Sequence, residues 1–156
     1  MIAERLRDAY ETLFTELAGG GFGAPPPGEW SAELVVAHVA TNDGLLAEAT
    51  EAVLAGDARP YYNHDAVDTP ALESAVASRG GDLTVLAQWA RTSADRLCEL
   101  AERLGLGASG ETMVQFHVED GGEVVVDRPL PWATVLDIHA TVHLPAHTDQ
   151  LRALRG

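Results

Sequence analysis

Lysine is absent from this chain, and cysteine occurs once, at Cys98. Only 10 basic residues, all arginine, face 24 acidic ones, for a formal charge of -14. A surface of that sign repels phosphate backbones and anionic lipid, which argues against nucleic-acid and membrane partners. One cysteine cannot form an internal disulfide, and a lone thiol suits a reducing, cytoplasmic setting. Long hydrophobic runs are also missing, and none approaches the roughly 20 residues needed to span a bilayer. The opening MIAERLRDAY is charged and amphipathic, unlike a secretory signal peptide.

What remains is a chain of 156 residues, 46% hydrophobic and 22% charged, which predicts one globular domain over residues 1–156. Helical periodicity dominates it. A first helix over about 2–18 aligns Ile2, Leu6, Tyr10, Leu13 and Leu17 and stops at GGG. Ser31 is the expected N-cap of a second helix running to about Ala55, with Gly56 beyond its end. Thr69-Pro70 opens a short helical piece, and a third long helix is expected over about 82–104. The pattern then changes to period two in TMVQFHV and EVVVD, a β-hairpin ended by Pro129 and Pro131. A last helix is expected from about 131 to 154, kinked at Pro145, which lacks a backbone donor. The expected fold is all-α: a four-helix bundle with a long crossover between helices two and three and a small hairpin between three and four.

Three histidines stand out. His143 and His147 are four residues apart in HLPAH, which places both imidazoles on one helix face within reach of one ion. His38 lies on the second helix within about 40° of Leu34, Leu45 and Ala49, so it points into the core. On the last helix an otherwise apolar stripe carries His139, His143, His147 and Gln150, which is costly unless those groups find partners. His38 lies about 10 Å from its helix start and His147 about 10 Å from its helix end. They share a level only if those helices are antiparallel, as an up-down-down-up order and the long crossover allow. A simple up-down-up-down order would separate them by about 8–14 Å.

Three neutral imidazoles suit zinc, nickel or another divalent transition metal, and three protein ligands leave positions open for water or a thiol. Leu144 follows His143, so the glutamate base of the H-E-x-x-H proteases is absent. His139, one turn before His143, is the main rival ligand or a residue facing substrate.

The run EWSAELVVAHVATND, followed by HATVHLPAHTDQL, resembles the DinB-like superfamily of YfiT-like proteins. The similarity is greatest to the branch that includes mycothiol-dependent maleylpyruvate isomerases. Trp30, His38, His143, His147 and Gln150 match the family pattern one by one. The resemblance implies an up-down-down-up bundle, a divalent metal on His38, His143 and His147, and a homodimer. It also implies an S-transferase or isomerase acting on a small molecule with a low-molecular-weight thiol such as mycothiol. The chain ends soon after the last helix, where those isomerases continue into a further domain, so a different substrate is expected. Gln150 and Asn42 are expected to support the ligands or orient substrate. A metal-dependent hydrolase and a non-catalytic binding module are the alternatives.

The other residues have plainer readings. His64 in YYNHD is expected in a loop, where Tyr61, Tyr62 and Asn63 are candidates for a lid at the pocket mouth, and His117 is expected to be exposed. Cys98 reads as an inert core thiol and Trp89 as packing, while Trp132 fits either the core or a pocket wall.

Overall fold

A computed structural model describes all 156 residues. The chain is mostly helical, about 65%, with a small three-stranded sheet. Helix α1 (Ile2–Ala18) buries Leu6, Tyr10, Leu13 and Leu17, the stripe its spacing dictates. It ends at Gly20 and Gly21, whose φ of 60° and 75° disfavour any residue with a Cβ. Helix α2 (Ala32–Leu54) starts where the Ser31 hydroxyl accepts the Leu34 N–H at 3.3 Å. It is buried on several faces rather than one, which makes it the central helix of the molecule. Helix α5 (Leu83–Leu104) is capped by Asp82, which accepts from Thr84 N–H at 2.9 Å.

The crossover from α2 to α5 contains strand β1 (Tyr61–Tyr62) and helices α3 (His64–Val67) and α4 (Thr69–Ser78). Strand β1 pairs in parallel with β2 (Met113–Asp120), which pairs antiparallel with β3 (Glu123–Pro131), in the order β1-β2-β3. The fold is therefore not purely α. A strand of two residues leaves no periodicity in the sequence, so β1 was invisible there. Pro131 ends β3 as expected, opposite Met113, whereas Pro129 lies within the strand, opposite Gln115. The edge position of β3 tolerates a missing N–H that an interior strand would not.

The last helical stretch also differs from the expected single helix. It consists of α6 (Trp132–Ile138), a π turn over His139–His143, and α7 (Leu144–Ala153). Within the turn, Leu144 N–H reaches back five residues to His139 O. Pro145 cannot donate, and its ring would crowd the carbonyl four residues earlier in a straight α-helix. The expected kink thus takes the form of a widened turn just before the proline.

Cross-helix pairs give the directions. Trp132 Nε1–H donates to Thr50 Oγ1 at 2.8 Å, His139 meets Asp43 at 2.8 Å, and His143 meets His38 at 3.1 Å. Rising numbers on one side meet falling numbers on the other, so α2 and the last helical stretch run antiparallel. Arg5–Asp137 and Glu16–Arg152 give α1 the same direction as that stretch, while Arg7–Glu102 and Glu11–Arg91 set α1 against α5. No helix is long and apolar enough to cross a membrane.

Trp132 is fully buried at the start of α6, where it fastens that stretch to α2. Replacing Trp132 with alanine should destabilise the fold by about 3–5 kcal/mol in urea unfolding. A loss below about 1 kcal/mol would contradict its placement in a close-packed core.

Candidate metal centre

The antiparallel pairing brings His38, His143 and His147 together. His143 Nε2 lies 3.1 Å from His38 Nε2 and 2.9 Å from His147 Nε2, and one ligand atom from each residue fits within 4.8 Å of the other two. His139 points its nitrogens elsewhere.

The outer nitrogens decide where the protons sit. His38 Nδ1–H donates to the Ala66 carbonyl at 2.6 Å, and His147 Nδ1–H donates to Gln150 Oε1 at 2.8 Å. Neither acceptor has a proton to give, so each histidine carries its hydrogen on Nδ1 and leaves Nε2 bare. His143 follows by a longer route. The Asp43 carboxylate accepts from His139 Nε2–H at 2.8 Å, which leaves His139 Nδ1 as an acceptor. His143 Nδ1–H donates to it at 2.9 Å, and the His143 Nε2 is bare as well.

Three lone pairs therefore converge with no proton among them. That arrangement is repulsive without a proton donor or a cation at its centre, and a cation would engage all three at once. Nitrogens held about 2.0–2.1 Å from a tetrahedral ion lie ~3.3 Å apart, close to the 3.1 and 2.9 Å that separate His143 from its two neighbours. The donor set thus fits a divalent transition metal, and the hydrogen bonds on the outer nitrogens supply the support such ligands require.

Electrostatics favour the ligand-ready form. Burial, reinforced by the neighbouring His147, pushes the His38 pKa down to about 3. Burial also depresses His143, with His139 and His147 adding to the effect. His147 is lowered by burial as well, partly offset by its bond to Gln150. All three shifts favour the neutral form, which can bind a metal without first losing a proton.

Asp43 and Tyr10 complete the support and were missed as site residues. Asp43 is fully buried, and its Oδ2 has no hydrogen-bond partner. The Tyr10 hydroxyl lies 3.1 Å from His139 Nε2, and burial together with the Asp43 charge raises its pKa well above the usual phenol value. A signal for Asp43 was present in the sequence. Val39, Asp43, Leu46 and Thr50 follow helical spacing, and all four are buried. The Ala66 carbonyl left none, since any residue offers one.

The remaining candidates divide by position. Gln150 supports His147 directly, whereas Asn42 accepts a hydrogen bond from the Tyr61 hydroxyl and lines an adjoining cavity of about 310 Å³. Tyr61 forms no lid: it is buried and stacked on Phe116 at 5.3 Å between centroids. Asn63 is tied to the backbone of Glu119 through both its amide atoms. His64 opens the short helix α3 rather than sitting in a loop, and faces Glu119 at 3.2 Å. His117, expected to be exposed, is 21% accessible, between Glu119 and Asp127. Trp30 packs over His38 with centroids 5.0 Å apart. Trp132 belongs to the core, and burial pushes the Cys98 thiol up to about 12, as an inert thiol requires.

Comparison with protein-family models, curated proteins and solved structures gave no match.

Elemental analysis should find about one transition metal per chain, as one three-ligand site requires. His38→Ala, His143→Ala and His147→Ala should each lose most of it. Asp43→Asn should keep the site but weaken metal affinity by about 10–100-fold, the usual cost of losing an outer partner. Full occupancy in all three alanine variants would remove the assignment.

Proposed function

We propose that this chain is a divalent-metal-binding protein acting as a metal-dependent S-transferase or isomerase with a low-molecular-weight thiol such as mycothiol. The convergence of three bare Nε2 atoms carries the metal part of this reading. The thiol part rests on the resemblance around Trp30, His38, His143, His147 and Gln150. Zinc and nickel are among the metals that suit an all-imidazole donor set.

The whole chain is best read as an up-down-down-up four-helix bundle of α1, α2, α5 and the α6–α7 stretch. Supporting this are the opposed directions of α2 and α6–α7, the shared direction of α1 and α6–α7, and the opposed direction of α5. The crossover through β1, α3 and α4 gives the length such an order needs.

In this reading His38, His143 and His147 hold the ion. A divalent metal held by these three residues would supply Lewis acidity, favouring the nucleophilic form of a thiol at neutral pH. The Ala66 carbonyl, Gln150 and the Asp43–His139 pair keep the ligand rings aimed. The largely apolar cavity beside His38 and His143 gives a substrate a place next to the ligands. No side chain there is free to act as a general base, because both His139 nitrogens are already engaged. Nor is Cys98 a nucleophile, with its thiol held buried and protonated.

The test is to incubate metal-loaded protein with chlorodinitrobenzene, with and without mycothiol. Consumption should require both thiol and metal, and His147→Ala should reduce it to the uncatalysed rate. Thiol-independent hydrolysis would indicate a hydrolase instead. No turnover under either condition would leave a metal- or ligand-binding module.

A further inference from the structure

The cavity next to the histidines identifies the chemical class of molecule that enters it. It measures about 310 Å³, and its walls include Leu46, Phe116, Val118, Val126 and Val135, with Val142 at the exposed rim. A cavity of about 150 Å³ accepts benzene, so twice that volume accepts a bicyclic aromatic or a phenyl group with a short chain.

Its polar groups are few and mostly occupied. Asn63 gives both amide atoms to the Glu119 backbone, and His139 gives both nitrogens to Asp43 and His143. Asn42 differs: its carbonyl accepts from the Tyr61 hydroxyl, which leaves the amide N–H as the free donor of a residue that lines the cavity. No arginine lines this space, and the chain has no lysine. An anionic group inside it would find no cation except an ion held by the histidines, and an unpaired buried charge is costly.

We infer that this cavity binds an uncharged, predominantly apolar group carrying a hydrogen-bond acceptor for Asn42, and that any negative charge on the substrate belongs at the metal. The apolar preference follows from the walls alone; the orientation toward the histidines rests on the proposed metal centre. Dicarboxylates are disfavoured inside it, because only one of their charges can reach the ion and the walls offer the other no cation.

The experiment follows the fluorescence of N-phenylnaphthylamine, a neutral apolar probe, on the intact protein, with metal content measured on the same sample. One saturable site per chain is expected. Val118→Trp and Val126→Trp, which fill the cavity from two strands, should each abolish it while helical circular dichroism is retained. Phenylsuccinamide should displace the probe at concentrations at least tenfold lower than phenylsuccinate, which has the same frame and two charges. Failure of the probe to bind, unchanged binding in both tryptophan variants, or equal displacement by the dianion would overturn the inference. Probe binding in a sample that takes up no metal would uphold the cavity and sink the metal centre instead.

Discussion

The structure depends on holding three imidazoles, one buried and two half-buried, at one level between α2 and the last helical stretch. Burial removes their protons, and outer acceptors turn all three bare nitrogens inward. The surrounding core could have satisfied one buried histidine with a carbonyl. Three facing lone pairs call for a shared partner at their centre, and the three nitrogens lie close enough to hold a metal ion. The metal reading follows from that unsatisfied centre more than from the presence of histidine as such.

Several irregular features serve this arrangement. The π turn lets the chain pass Pro145 while His139 and His143 remain close enough to bond through their Nδ1 atoms. Asp43 then fixes His139, so a carboxylate buried in α2 sets the proton position of a ligand on the facing helix. The crossover contributes too. Ala66 in α3 holds His38, and α3 is tied to the sheet by Asn63 and His64 against Glu119. The small sheet thus braces one ligand and forms a wall of the cavity.

Much of this was legible in the sequence because it depends on periodicity. The apolar stripes fixed three long helices within a residue or two, and the His143/His147 spacing marked their common face. Matching the depth of His38 to that pair required antiparallel helices, which the cross-helix bonds bear out. What the sequence concealed was local or non-periodic. The two residues of β1 carry no pattern, and the π turn depends on how the chain accommodates one proline. The Ala66 carbonyl is a backbone atom without a signature. Asp43 was readable in principle, but helix α2 buries several faces, so no single stripe singled it out. The substrate class required the cavity itself, whose walls come from α2, both hairpin strands and α6.

The central claim is that one ion sits on three imidazole nitrogens with a position left open. X-ray absorption at the metal edge of the purified protein tests it most directly. The account predicts three imidazole nitrogens at about 2.0–2.1 Å, together with an exchangeable light or sulfur ligand that changes when thiol is added. A shell containing fewer than three imidazoles, or one already closed by four protein ligands, would contradict it.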